Sequence, residues 1–324
     1  MTTARAAGRG SGVDLRQLRY FVAIVQCGSI TRASQQLNVA QPALSLHMRN
    51  MEVDLGVPLL FRTPQGVQPT EAGQILLRNA RAILGQVERA EAEIRGSMGE
   101  PQGSVRLGLP SSISQILGVP LVLAARERYP AVALRVAEAM SGYVLDWLRT
   151  GRVDLGLLYR LVEDRGLRSI SLLTEELVLF GPAKFPAFAE ASVPLAMLAG
   201  RPLILPSPGH GLRDLLDEHA AAAGVRLSPA VEIDAYGASK TLVEHGLGLS
   251  VLPLHAVQRD VAEGRLRAFP FDPPLRRTIH LVLPTDRPLS QAARVVEALC
   301  RTTLASLVRS GAWPSAQMRV TTAP

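Results

Sequence analysis

Residues 29–52 read SITRASQQLNVAQPALSLHMRNME, and the fold turns on this stretch. An alanine- and serine-rich helix over Ile30–Leu37, with Ser29 or Thr31 placed to cap it, meets Asn38-Val39-Ala40. A second helix then opens at Gln41-Pro42, where proline suits a first turn because its missing N–H would be unpaired there anyway. At 100° per residue, Leu44, Met48, Met51 and Leu55 share one narrow sector and form the expected buried face. The opposite side carries Pro42, Ser45, Leu46, Arg49 and Asn50, with Gln41 projecting from the N-terminal end. That face suits a helix whose first residues reach base edges in a DNA major groove. Gln41 can pair with adenine, Ser45 with either kind of base edge, and Arg49 can approach a phosphate. Leu46 stands in the middle of this polar face, where a core role does not account for it.

Upstream, Leu15, Leu18, Phe21, Val22 and Val25 recur at helical spacing, which completes a three-helix unit. Downstream, Gly56 ends the third helix, and PLLFRTPQGVQP reads as a hairpin with its turn at Pro64-Gln65-Gly66. Thr70 opens a long helix in which Leu76, Ala80, Ile83, Val87, Ala90 and Ile94 alternate spacings of four and three. No adjacent segment before Gly96 is available to cover that seam, so Leu76, Ile83, Val87 and Ile94 are expected to dimerise. Arginines before Gly66 (5, 9, 16, 19, 32, 49 and 62) outnumber Asp14, Glu52 and Asp54, as phosphate contact requires.

The whole chain agrees with a multidomain, DNA-linked reading. Its 324 residues exceed one small domain, and 47% hydrophobic content supports real cores. A formal charge of +7 permits nucleic-acid binding without establishing it. Aromatics at 4% offer no stacking platform for single strands. Two cysteines, Cys27 and Cys300, argue against a disulfide framework or a Cys-rich metal site. No apolar run reaches the ~20 residues of a membrane span, and the start lacks a signal-peptide core. A cytoplasmic protein with no membrane partner is expected.

Beyond the hinge SMGEPQG, strands and helices alternate. SVRLGLP, a helix to Tyr129, ALRVAEA, a helix over 144–149, and VDLGLLY imply a parallel α/β sheet. Around LTEELVLFGP the chain leaves this unit for a second one, and the helix 290–309 returns to the first. The expected boundaries are a disordered tail 1–13, a DNA-binding domain 14–69, a linker helix 70–96, a hinge 97–102 and an α/β domain 103–310. Subdomain I takes 103–175 and 284–310, subdomain II takes 176–283, and 311–324 is a tail.

Residues 14–73, from DLRQLRYFVAIVQCGSITRASQQLNVAQPALS to GVPLLFRTPQGVQPTEAG, closely resemble the winged helix-turn-helix of LysR-type transcriptional regulators. SGYVLDWLRTGRVDLGLL, PSPGHGLR and GLGLSVLP resemble the nitrogen-assimilation-control-like branch. The resemblance implies a periplasmic-binding-protein-like effector domain of two subdomains. It also implies a homotetramer that bends double-stranded promoter DNA and answers to a small effector; RNA polymerase is a further partner that such a role admits. Thr31 and Arg32 match the phosphate-contacting start of the second helix. Gln41, Pro42 and Ser45 match recognition-helix contacts, and Arg62 matches the basic residue of the wing. Leu46 and Gln65 depart from the family, in which the first position is commonly polar or basic and the second often arginine, so a shallower salt dependence of binding is expected.

Ser111 and Ser112 in GLPSSISQIL begin a helix, where free N–H groups favour an anion, although capping alone also accounts for a serine there. By resemblance this turn lines the effector cleft, with Ser141, Gly142, Ser207, Gly209 and His210 bordering it. Arg213 could pair with an effector carboxylate or phosphate, or with Asp214 or Asp217. Glu175, Glu176 and Asp154 read as solvated strand-end acids. GHG and GLG fall short of a dinucleotide loop. No HExxH or GxSxG occurs, so no enzyme, metal or organic cofactor is implied. Two rival readings are an effector-independent DNA-bending dimer and a solute-binding module over 103–310.

Overall fold

The computed structural model describes residues 13–63, 66–96, 100–185 and 191–319. Residues 1–12 of the anticipated N-terminal tail, the wing turn Pro64-Gln65, the first half of the hinge and residues 320–324 lie outside them. The chain divides into two units near Glu91, each with its own core.

In the N-terminal unit, α1 (Leu15–Cys27) starts in a capping box, with Asp14 accepting from the Gln17 N–H at 2.7 Å and Gln17 accepting from the Asp14 N–H at 3.1 Å. Ser29 caps α2 (Ile30–Leu37), and Asn38 ends it in the left-handed region, which leads directly into α3 (Gln41–Leu55). Phe21, Ile24, Ala33, Leu44, Met48 and Met51 close one core among the three helices. Leu55, expected in that core, is 41% exposed. It lies in the last turn, beside the left-handed Gly56, where the helix has run past the body of the domain.

β1 (Leu60–Thr63) and β2 (Gly66–Pro69) pair antiparallel as the wing. Glu52 fastens it to α3 by accepting from the Leu59 and Leu60 N–H groups at 2.8 and 3.2 Å. Gly66 has φ +132° and lies so close to the α1 cap that an added Cβ would fall 2.4 Å from the Gly28 carbonyl oxygen. Thr70 then accepts from the Gly73 N–H and opens α4 (Glu71–Gly96).

The C-terminal unit holds β3 (Gly103–Leu109), α5 (Ser111–Arg128), β4 (Val132–Glu138), α6 (Ser141–Arg149), β5 (Leu155–Leu158) and the long β6 (Leu167–Pro182). After a 3-10 turn come β7 (Leu203–Leu205), α7 (Gly211–Ala222), β8 (Pro229–Glu232), α8 (Tyr236–Glu244), β9 (Ser250–Pro253), α9 (Leu254–Ala262) and β10 (Leu266–Pro270). β11 (Arg276–Pro284), α10 (Gln291–Arg309) and β12 (Ala316–Met318) finish the chain. The main sheet runs β10-β6-β11-β5-β3-β4, with β9 and β12 also pairing β6.

β3, β4 and β5 are parallel as expected, and β11, which runs antiparallel to β5 and β6, makes the whole sheet mixed. α5 and α10 cover one face with Leu107, Ile113, Leu117, Leu281 and Leu299. α6 covers the other with Val144 and Leu148. It sits close because Gly108 has no side chain: a Cβ there would lie 2.7 Å from Val144 Cγ1.

A second core gathers Leu179, Phe180, Ile204, Leu216, Val251 and Phe269. β6 passes from the first core at Leu173 to the second at Leu177. The return falls between Leu275 and Ile279, earlier than the expected boundary at 283, because β11 pairs with β5 and its Ile279, Leu281 and Leu283 belong to the first core.

The expected C-terminal tail is also corrected in its first part. Trp313 is 1% exposed, its indole N–H donates to Glu175 Oε2 at 2.8 Å, and β12 pairs with β6 over Leu173–Glu175.

Candidate functional sites

The N-terminal unit exposes the polar face of α3 that was anticipated from helical spacing. Leu44, Met48 and Met51 are buried, while Gln41, Pro42 and Arg49 are exposed and Ser45 is half-buried. Gln41 Nε2 donates to Ser45 Oγ at 3.3 Å, one helical turn on, which orients both at the start of α3. Leu46 is 55% exposed on that face. His47, beside it, turns inward and meets the Tyr20 ring edge-on at 5.3 Å. Thr31 and Arg32 are exposed at the start of α2, and Arg62 is exposed on the wing. Gln65 lies outside the described residues.

On α4 the apolar stripe is continuous, but its first member is used at home. Leu76 packs against the core of its own domain, beside fully buried Ala80. Further along, Val87 is half-buried, and Ile83 and Ile94 are 41% and 74% exposed.

In the C-terminal unit, a cavity of about 60 Å³ lies between the two cores. Ser111, Ser112, Ser141 and His210 line it as anticipated. A wider groove of about 380 Å³ adjoins it through shared Met140, His210 and Asp234, and takes in Gly142, Ser207 and Gly209. Arg213 lines neither. Its guanidinium binds Asp217 at 2.8 Å, Glu232 at 2.9 Å and the Pro206 carbonyl at 3.1 Å. It anchors the loop before α7, and the expected effector contact is withdrawn.

The buried cation of the cavity is instead Arg277 on β11. Its Nε donates to Glu175 Oε1 at 2.7 Å, and its Nη2 donates to Ser112 Oγ at 3.2 Å. Its Cζ lies 3.6 Å from the centroid of the Tyr159 ring, a cation–π stack. Tyr159 and Ser112 share a 2.5 Å hydrogen bond. Glu175, far from being a solvated acid, is 1% exposed. It also takes the Trp313 bond, and His255 Nδ1 lies 3.3 Å from its Oε2. Burial would raise the Glu175 carboxyl, but Arg277 foremost, with His255 and Trp313, holds it down at about 2. The other presumed strand-end acids are paired too, Asp154 with Arg106 at 2.9 Å and Glu176 with Arg276 at 2.8 Å.

Burial pushes the phenols of Tyr159 and Tyr236 above their usual range, so both remain donors at neutral pH. It lowers His210, against the pull of Asp234, which favours the neutral ring; Nδ1 accepts from the Leu212 N–H at 3.2 Å. Tyr159, Tyr236, Glu175 and Arg277 were missed in the sequence, though Tyr159 and Tyr236 follow strands β5 and β8, where ligands of α/β sheets gather.

Among known proteins, the family "LysR substrate binding domain" matches residues 98–305, and "Bacterial regulatory helix-turn-helix protein, lysR family" matches residues 15–74. The nitrogen assimilation regulatory protein nac of Escherichia coli (strain K12) is 31% identical over 91% of this chain and 97% of its own. The protein of that name from Klebsiella aerogenes is 34% identical over 76% and 80%. A full-length OxyR variant from Pseudomonas aeruginosa has a TM-score of 0.73 at 26% identity, covering 90% of this chain and 98% of that one. With both family descriptions matched in order and such relatives along most of its length, the chain belongs to the LysR family of transcriptional regulators.

Proposed function

We propose that the protein reads promoter DNA with the start of α3, using Gln41, Pro42, Ser45 and Leu46 on base edges. Arg49, Thr31, Arg32 and Arg62 take the phosphate backbone. The uncovered part of the α4 stripe, Ile83 to Ile94, joins two chains, and pairs of dimers form the tetramer. A small effector in the cavity between the two cores changes their relative angle and thereby the bend imposed on DNA. The protein works in the cytoplasm, as a regulator without catalysis. Among the described residues, no helix is long and apolar enough to cross a membrane.

The observation that carries the DNA reading is Leu46. A leucine 55% exposed amid polar neighbours fits a groove that offers a thymine methyl. Leu46→Ala then relaxes preference at one base pair by about 1 kcal/mol, the low end for a single mismatch, and leaves non-specific affinity unchanged. Fluorescence anisotropy on a set of single-base operator variants measures both. Equal losses on every sequence would show that Leu46 contributes nothing to base reading.

A further inference from the structure

Residues 311–319 lie beyond the span 98–305 that matches the family domain, and they turn back from α10 onto β6. β12 pairs with Leu173–Glu175. The Arg319 N–H donates to the Leu172 carbonyl at 2.8 Å, and its Nε donates to Thr174 Oγ1 at 3.1 Å. Every one of these anchors lies on the stretch of β6 just before the strand enters the second core at Leu177.

Trp313 carries this segment inward. Its ring is buried in the first core, and its N–H donates to Glu175 Oε2 while Arg277 holds Oε1. The ring also meets His255 edge-on, with centroids 5.1 Å apart. His255 comes from the other side of the crossing, near the start of α9, whose Ala256 and Val257 belong to the second core. Its Nε2 lies 3.1 Å from the Ser112 carbonyl, which can only accept. Its Nδ1 lies 3.3 Å from Glu175 Oε2, yet among the described residues it is buried without a hydrogen-bond partner. Such atoms are rare. Here the indole already occupies the oxygen that would serve it, so one carboxylate oxygen faces one ring nitrogen from the last segment and one from the second core.

We propose that residues 311–319 are a strap that sets the relative position of the two cores, with Trp313 as its catch on Glu175 and His255. Packing alone would be met by any large apolar side chain in that place. The indole N–H does something further: it ties the strap to the carboxylate that stands at the crossing. Without it, Oε2 is left to His255, and α9 can shift against β6. The strap is thus a conformational control added to the domain outside its family-matched span.

The test is hydrogen–deuterium exchange, read peptide by peptide, on the full-length protein and four variants: Trp313→Phe, His255→Gln, the two combined, and Arg319→Ala. Trp313→Phe keeps a large buried ring and removes the donor. It should speed exchange by about ten-fold at residues 174–178 and 275–279 and in α9, the loss of one hydrogen bond to a charged group. The interior strands β3 and β7, one in each core, should exchange as in wild type. Trp313 and His255 act on the same oxygen, so the combined variant should exchange at the crossing little faster than the faster single one. Arg319→Ala loosens the outer end of the strap without touching either core, and should speed the same peptides by a smaller factor.

Unchanged exchange at the crossing in Trp313→Phe would overturn the proposal. So would acceleration spread evenly through the first core, which would make Trp313 an ordinary packing residue. Fully additive effects of Trp313→Phe and His255→Gln would break the link through Glu175. Faster exchange in Arg319→Ala confined to β12 itself would show that the segment covers β6 without restraining the crossing, and the strap would be rejected.

Discussion

Replacing Glu175 by glutamine leaves Arg277 buried beside a neutral amide, and its cost can be approached in two ways. The carboxyl sits at about 2 against an ordinary 4.5. At about 1.4 kcal/mol for each tenfold step, that gap corresponds to about 3 kcal/mol of stability at neutral pH. Independently, removing one partner of a buried ion pair typically costs about 3–5 kcal/mol, because the remaining charge stays dehydrated. Both routes give a loss large enough to see in a single denaturation curve. The sign in acid follows from the depressed value. The contribution is complete above pH 4.5 and disappears as the pH falls through about 2, so wild type loses stability over that window and Glu175→Gln does not lose this part.

Urea unfolding of the full chain followed by tryptophan fluorescence isolates the effect. The chain's two tryptophans, Trp147 and Trp313, both belong to the C-terminal unit, and Trp313 donates to Glu175 itself. Glu175→Gln should lower the neutral-pH midpoint, and the gap from wild type should narrow as the pH is reduced. The double variant with Arg277→Met should recover much of the loss, since both charges are then removed together. A Glu175→Gln protein as stable as wild type at neutral pH, or with a parallel acid profile, would refute the claim that this pair organises the crossing between the cores.

Two further outcomes test the parts of the fold on which the sites stand. Trp313→Ala should cost the C-terminal unit about 3–5 kcal/mol, the usual range for a buried aromatic, read by calorimetry; a change inside experimental error would mean that the last segment does not pack as described. Gly66→Ala should destabilise the winged unit by about 1–3 kcal/mol or more, because the backbone is in a region side chains avoid and the Cβ meets the Gly28 carbonyl. Faster hydrogen exchange confined to residues 14–63 and 66–69 is the expected signature, and unchanged protection there would contradict it.

Helical period and capping chemistry made the N-terminal unit legible, because its core positions lie within one or two turns of each other. The same reading failed at Leu55 and Leu76 for a common reason. Periodicity says which residues share a face but not where along the helix the neighbouring element stops. At Leu55 the cover has ended, and at Leu76 it has not yet done so. The turn positions that line the cavity and its groove were also legible as small residues, Ser111, Ser112 and Ser141 in the first turns of helices and Ser207 in the loop before α7.

The cleft's charged centre needed a different kind of information. Glu175 and Arg277 are 102 residues apart, and no local pattern links them. Each stands beside a second residue of like charge, which suggested solvent. Parity says otherwise, since side chains alternate along a strand. Arg277 shares its side of β11 with Ile279, Leu281 and Leu283, and Glu175 shares its side of β6 with Leu173, Leu177 and Leu179, all of them buried. A charge in phase with a core stripe must find an opposite charge in phase with another, or remain neutral. Here the antiparallel register sets Arg277 directly opposite Glu175, at the point where both strands pass from one core to the other. The pair is therefore a consequence of where the crossing falls, and the crossing is what the sequence misplaced by putting it at residue 283. Correcting that boundary moves Arg277 from the interior of a presumed subdomain to the crossing between the two cores.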